Sequence, residues 1–400
     1  MSNTFVEPWT EARVQDIASD APRSITIGPF GSRLKAELYV ADGFPVIRGQ
    51  DIGPGKGLLE DNLVYVPEAV AESLSGCIVS EGDLIFPHRG AIGQVGIVGQ
   101  RQFLLSSSMM KLTCNRTVID PGFLFYYFRG PGRGELLTRA STVGTPGIGQ
   151  PLKSLRGIPI RYPGLPQQRA IAEVLGALDD KIAANTTLVQ TSDELAGVLT
   201  RHALDFENRV PLSSVAIVTM GSSPLGATLN EVGDGEVFYQ GVRDFGVRFP
   251  ANRVWTTGPV RFAEMLDTLL SVRAPVGRAN LAQERTCIGR GIASIWSTEA
   301  HPYSIFHRLR DDPEIWAPYE AEGTVFGSIN RRQLDTLAMP SILADDSDRL
   351  EAQLAAIELR VASALAENRT LAATRDALLP QLMSGKLRVR DAEKVVEAVV

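Results

Sequence analysis

The sequence predicts an α+β fold built as an internal repeat. Two tandem mixed α/β domains are each followed by a long helix, and the helices pair as an antiparallel coiled coil about a pseudo-two-fold axis. Three observations predict it: Leu165–Leu204 reads as one helix, Leu350–Leu382 repeats its pattern, and the stretches before them are rich in Gly, Pro and short apolar runs.

The first helix opens on Pro166, which suits a first turn because the missing N–H would have no partner there. Apolar residues fall at Ile171, Val174, Leu175, Leu178, Ile182, Leu188, Val189, Leu195 and Leu199, a spacing of three and four that marks a helical stripe. Such a helix spans roughly 57 Å, and a helix that long needs a packed partner, since propensity alone does not hold it. Asn185 and Ser192 interrupt the stripe; a buried asparagine fixes register at a cost in stability.

The second helix supplies the partner. One constant shift aligns Leu178 with Val361, Ile182 with Leu365, Asn185 with Asn368, Leu188 with Leu371, Leu195 with Leu378, and Leu199 with Leu382. An asparagine held in register with five apolar pairs identifies an internal repeat. The predicted seam is Leu178, Ile182, Asn185 and Leu188 against Val361, Leu365, Asn368 and Leu371.

The globular segments show the same texture. In the first, Phe44–Ile47, Asp83–Phe86 and Ile92–Val98 read as strands, and Val66–Leu74 and Phe123–Tyr127 as helices. Similarities extend the repeat: Val14, Ile17 and Ala18 face Leu212, Val215 and Ala216, and Gly144, Thr145 and Leu155 face Gly323, Thr324 and Leu334. IFPHRGAIG (Ile85–Gly93) faces LLSVRAPVG (Leu269–Gly277), pairing Arg89 with Arg273. The chain divides into a globular domain (1–165), a helix (166–204), a second domain (205–345), a second helix (346–385) and a tail (386–400).

A composition 44% hydrophobic and 22% charged describes a folded, soluble chain, without an apolar run near membrane-spanning length or a signal-peptide core, so no membrane partner is expected. Three scattered cysteines, Cys77, Cys114 and Cys287, argue for a reducing cytoplasm. The net charge of −6 leaves neither domain a bulk polycation. All 13 basic residues of 205–345 are arginine, the side chain suited to bidentate contacts with guanine or phosphate, although codon bias would produce the same count.

LPQQRAIAEVLGALDDKIAAN, with the late ENRTLAATRDALLPQLMSGKLRV, resembles the specificity subunit of Type I restriction–modification systems. GPFGSRL (Gly28–Leu34), PVIRGQDI (Pro45–Ile52) and GDLIFPHRGAIG (Gly82–Gly93) are similar to that family's target-recognition domains. The resemblance implies two such domains, each reading one half of a bipartite double-stranded DNA sequence. It also implies that the paired helices act as a spacer, docking two modification (methyltransferase) subunits and, through the complex, restriction or translocase subunits. Two departures stand out: the second helix lacks the PxxQR entry of Pro166–Arg169, and the second domain has GSSPLG (Gly221–Gly226) where the first has GPFGS.

On this reading Arg89 and Arg273 lie at the DNA surface, with Arg33, His88, Arg139, Gln150, Arg243, Arg278, Arg290 and Arg331 as further candidates. Gln167, Arg169, Asp179, Asp180 and Lys181, with a counterpart at Leu350–Ala364, are the expected docking residues; Asp179, Asp180 and Lys181 should form a solvated or partner-facing edge. The competing reading is a scaffold that joins two binding modules without touching DNA.

Catalytic signatures are missing. The chain has no (N/D)PP(Y/F), GxGxxG, GxxxxGK[ST] or HExxH motif, so no cofactor, metal or catalytic residue is assigned, and the chain is expected to bind rather than catalyse. GPGKG (Gly53–Gly57) and GPGRG (Gly130–Gly134) lack phosphate-loop spacing and are expected to mark turns.

Overall fold

The computed structural model describes residues 9–30, 33–141, 144, 146–320, 327–343 and 346–400. Gly31 and Ser32 of the first motif, and Thr145, Gly323 and Thr324 of the repeat, lie outside them. The chain forms two compact units, 1–185 with 366–400, and 186–365. No helix among the described residues is long and apolar enough to cross a membrane.

In the first unit the strands are β1 (Thr10–Arg13), β2 (Ile25–Ile27), β3 (Phe44–Ile47), β4 (Val64–Val66), β5 (Ile78–Val79), β6 (Leu84–Pro87), β7 (Gly96–Ile97), β8 (Phe103–Leu105), β9 (Met109–Leu112), β10 (Ala140–Ser141), β11 (Gly147–Ile148) and β12 (Pro159–Tyr162). They make two four-stranded sheets, β2-β9-β6-β7 and β4-β3-β8-β5, with ribbons β1-β12 and β10-β11. The helices are α1 (Glu68–Ser73), α2 (Pro121–Arg129), α3 (Pro131–Thr138) and α4 (Pro151–Arg156), then α5 (Leu165–Ala203), which continues into the second unit.

The second unit repeats the plan. Its strands are β13 (Leu204–Pro211), β14 (Ala216–Met220), β15 (Leu229–Asn230), β16 (Glu236–Tyr239), β17 (Trp255–Thr256), β18 (Phe262–Ala263), β19 (Thr268–Ser271), β20 (Ala279–Leu281), β21 (Thr286–Ile288), β22 (Ile292–Ser297) and β23 (Ala338–Ile342). Sheets β14-β22-β19-β20 and β15-β17-β16-β21-β18 match the first pair, and β13-β23 matches β1-β12. Even the pairing sense is kept: β3 with β8 and β16 with β21 are parallel, and every other strand pair is antiparallel. Helices α6 (Pro302–Arg310), α7 (Arg331–Asp335) and α8 (Ser347–Met383) complete it, α8 running on into the first unit, where α9 (Val389–Glu397) follows.

Helices α5 and α8 pair antiparallel, as the repeat predicts. In the first unit Leu178 and Leu371 are fully buried in one core, with Ile182 packed against it. Asn185 Nδ2 donates to Asn368 Oδ1 (3.0 Å) and Glu367 Oε2 (2.8 Å), and Asn368 Nδ2 donates to the Ile182 carbonyl (3.4 Å). In the second unit Val189 packs with Val361 and Ala364, flanked by Leu188 and Leu365, while Ala196 and Ala203 meet Leu350 and Leu354. Leu195 is a correction: expected in the stripe, it is 50% exposed. Adjacent helix positions point about 100° apart, and Val189, Ala196 and Ala203 take the inward positions, so Leu195, one residue before Ala196, points away.

Three further expectations change. Of Ile92–Val98 only Gly96–Ile97 is strand. GPGRG is not a turn but the start of α3, with Gly130 as cap and Pro131 in the first turn, where its missing N–H costs nothing. Residues 386–400, read as a tail, contain the amphipathic α9, whose Ala392 and Val396 join the first unit's core.

Candidate nucleic-acid interface

Each unit carries a cleft at the end of its central strand, and the backbone around the two clefts is hydrogen-bonded alike. After β2, Gly28 N–H donates to the Met109 carbonyl (2.8 Å); after β14, Gly221 N–H donates to the Ile292 carbonyl (2.9 Å). Both glycines are required by close approach. A Cβ on Gly28 would stand 1.9 Å from the Ser106 carbonyl oxygen, and one on Gly221 2.2 Å from that of Gly289. Ser106 and Gly289 begin the equivalent links β8–β9 and β21–β22, their own N–H groups donating to Ile47 (3.0 Å) and Tyr239 (2.8 Å). Gly28 and Gly221 thus open equivalent loops, despite the different sequences that follow them.

Arg89 and Arg273 follow β6 and β19 at the same point. Arg89 bridges to Gly147 and Arg273 to Ser328. Ile148 N–H donates to the His88 carbonyl (2.9 Å) where Ile329 N–H donates to Val272 (3.1 Å), and Gly90 to Pro146 (2.9 Å) where Ala274 donates to Gly327 (3.0 Å). Both arginines are exposed. Arg89 lines a cleft of about 370 Å³ with Phe30, His88, Ser107 and Gly149. Arg273 lines one of about 330 Å³ with Gln240, Val242 and Arg290.

The other candidates divide. Arg290 shares the Arg273 cleft, its N–H donating to Ser223 Oγ (3.3 Å). Arg243 is exposed on the turn Val242–Asp244 beside it, and Gln150 is exposed at the start of α4, next to Gly149. Arg278 is exposed but lines a separate cavity of about 650 Å³ with Phe245, Arg310 and Trp316. Arg33, Arg139 and Arg331 line neither cleft: they reach the Ser73 carbonyl (3.5 Å), Glu135 (2.5 Å) and Asp335 (3.5 Å). His88 is only 6% exposed; its Nε2 is 3.1 Å from the Ser107 carbonyl, and burial lowers its pKa, so it shapes the loop as a neutral ring.

The helix-borne candidates also need correcting. Asp179 is not on a solvated edge: it is 3% exposed and accepts hydrogen bonds from Tyr126 Oη (2.7 Å), Arg129 Nη1 (3.2 Å) and Arg375 Nη1 (2.6 Å). Adjacent helix positions point about 100° apart, so Asp180 faces outward instead, toward Lys56 Nζ (3.3 Å). Lys181 Nζ lies 3.4 Å from Glu367 Oε1. Arg169 is exposed and Gln167 half-buried. Gln168, not singled out from sequence, is fully buried: it accepts from Asp120 N–H (2.7 Å) and donates to the carbonyls of Val118 (3.1 Å) and Pro163 (2.8 Å), locking the start of α5 to α2.

Sequence reading also missed a repeated set of buried carboxylates that hold the loops. Asp83 and Asp267 accept from the N–H three residues earlier, Ser80 (2.9 Å) and Glu264 (2.9 Å). Asp51 and Asp244 each pair with an arginine, Arg48 (3.0 Å) and Arg253 (2.6 Å). Aligning DLIF with DTLL would have shown the first pair. Among the described residues no group of three or more His, Cys, Asp or Glu could hold a metal ion.

Residues 31–191 match the family model of the Type I restriction modification DNA specificity domain. The chain is 26% identical, over 379 residues, to the type I restriction enzyme MjaX specificity subunit of Methanocaldococcus jannaschii, covering 87% of this chain and 88% of that one. The Type-I restriction–modification system S subunit from M. genitalium shares the fold with a TM-score of 0.64 at 14% identity, over 96% of this chain and 97% of that one. The HsdS subunit from Thermoanaerobacter tengcongensis aligns at 22% identity over 95% and 98%, with a TM-score of 0.36. The motifs at Gly82–Gly93 and Leu165–Asn185 lie within the matched span, and over most of its length the chain is similar to a specificity subunit of a Type I restriction–modification system.

Proposed function

We propose that this chain is the DNA sequence-specificity subunit of a Type I restriction–modification enzyme, in which each globular domain reads one half of a bipartite target. One observation carries the assignment of the reading surface: two diverged copies keep an exposed arginine, Arg89 and Arg273, at the same hydrogen-bonded position beside a cleft. An arginine there can donate two hydrogen bonds to guanine O6 and N7, or one set to phosphate. Arg290, Arg243 and Gln150 are secondary contacts beside the same clefts.

The chain itself supplies no chemistry in this reading. It is the non-catalytic member of a complex with two modification subunits, and restriction subunits join through that complex. The exposed face of α5 around Arg169 and Asp180 and that of α8 across Leu350–Ala364 are where modification subunits dock. Gln167 lies at the margin of that face, while Asp179 belongs to the interior.

The test is methylome sequencing of a host that carries this chain with its modification partner. A single bipartite methylated sequence is expected, and it should vanish when this chain is deleted. Methylation without a fixed sequence, or none with an active partner, would sink the proposal.

A further inference from the structure

The loops that follow Gly28 and Gly221 each end in an apolar tip that nothing in its own unit covers. Phe30 is 72% exposed and Leu225 77%. Isolated exposed apolar residues are ordinary, and this chain has others, so exposure alone decides nothing. Duplication does. The tips lie in Pro29–Phe30–Gly31 and Pro224–Leu225–Gly226, the same pattern of proline, large apolar residue and glycine. Their carbonyls accept the same hydrogen bond, from Arg33 N–H (2.8 Å) and from Thr228 N–H (2.9 Å). Around them the two loops have diverged in length and sequence.

One tip sits at an arginine cleft, and the other follows a residue bonded to the lining of its counterpart. Phe30 lines the Arg89 cleft directly. Leu225 lies two residues beyond Ser223, whose hydroxyl donates to Gln240 Oε1 (3.0 Å), and Gln240 lines the Arg273 cleft. An exposed large apolar side chain, lining the arginine cleft in one unit and two residues from a serine bonded to the cleft lining in the other, fits a surface whose partner offers apolar and hydrogen-bonding edges together. The base edges of DNA do so: guanine presents acceptors and thymine a methyl group, and a base step can admit an apolar side chain against its face.

We infer that Phe30 and Leu225 are specificity-determining apolar contacts to DNA bases, one in each half-site. The inference rests on the function proposed above. The two tips differ in size and shape, so the two half-sites need not offer the same base at this contact.

The experiment uses the full complex with its modification subunits and the methylated target. Phe30→Ala and Leu225→Ala should each weaken binding on the order of tenfold, each through its own half-site, with the salt slope unchanged because no charge is removed. Phe30→Leu should retain most of the affinity. Uracil in place of each thymine of the half-site weakens wild-type binding if the contact is a methyl group. 2-Aminopurine at each step brightens on binding if the contact is a base face. Unchanged affinity and methylated sequence in both alanine variants, or a changed salt slope, overturns the inference. So does affinity loss without either base-level signal in the wild type. A wild-type complex with no sequence preference would instead overturn the DNA reading beneath it.

Discussion

Two equivalent side chains, Tyr126 and His307, show how one repeat position was solved twice. Each projects from the helix after the sheets, α2 or α6, onto a carboxylate of a long helix: Tyr126 Oη to Asp179, His307 Nε2 to Glu358 (2.9 Å). His307 Nδ1 also faces Asp311 (2.9 Å). Two carboxylates can only accept, so both ring nitrogens must donate, and the ring is an imidazolium. Burial pulls its pKa down, but the hydrogen bonds and charges of Asp311 and Glu358 outweigh this and raise it above 6.5. Around it Arg248 reaches Asp193 and Glu358, and Arg310 lies 2.8 Å from Asp193, so three cations balance three carboxylates. Tyr126 is held neutral by burial and by Asp179, which raise its pKa.

The asymmetry has a sign. A raised histidine pKa contributes stability that is fully present below the unfolded value of about 6.5 and is lost as pH rises through the folded value. Hydrogen-exchange protection of Pro302–Arg310, corrected for intrinsic rates, should therefore fall as pH rises from 6 to 9. That of Pro121–Arg129 should stay constant, and His307→Gln should abolish the dependence. At the same scale, Asp179→Ala leaves the half-buried Arg129 and Arg375 without their shared, buried carboxylate. It should cost about 3–5 kcal/mol in unfolding, measurable by denaturant titration; a cost under 1 kcal/mol would deny the cluster its structural role. For readout, Arg89→Ala should change only the half-site read by residues 1–165, and Arg273→Ala only the other. A base-reading arginine costs ~1–3 kcal/mol and relaxes one position, whereas a phosphate contact weakens all sequences alike and lowers the salt slope by about one. Filter binding over a salt series separates the roles, and variants unchanged in affinity, preference and slope would remove both arginines from the interface.

Among the elements, the seam of α5 and α8 holds Asn185, which donates to Asn368, and Asn368, which donates to the Ile182 carbonyl, so the pair fixes the register. Leu178 is fully buried there, and Leu178→Asp, which places an unpaired charge in the core, should cost several kcal/mol (roughly 2–7). A melting temperature unchanged by it would mean that α5 does not depend on α8. The loop glycines make a second demand on geometry. Gly28→Ala and Gly221→Ala drive a methyl group into a backbone carbonyl, so each should destabilise its own unit by about 1–3 kcal/mol. Limited proteolysis of each variant would show which unit loosens.

Over the whole molecule, duplication explains the pattern of what was legible. The long helices could be read from period alone, because an apolar stripe at 3.6-residue spacing survives divergence. The Arg89–Arg273 equivalence followed from a short alignment around two glycines, Gly93 and Gly277, each at positive φ where other residues are strained. Sequence does not carry which arginines line a cleft. Arg33, Arg139 and Arg331 look no different in sequence from Arg290, yet each reaches a partner within its own unit while Arg290 lines a cleft.

What the sequence determined by itself was therefore periodic or repeated: two α/β domains, two antiparallel helices and the asparagine pair between them. Tertiary structure alone decided the direction in which each side chain points. Asp179 and Asp180 are neighbours of one residue type, and only the helix turn, with Tyr126, Arg129 and Arg375 brought from distant segments, buries the first and leaves the second in water. Likewise GPFGS and GSSPLG look unlike until Gly28 and Gly221 are seen pressed against the same strand link. Burial and hydrogen-bond partnership are sums over contacts far apart in the chain, and no local pattern encodes them.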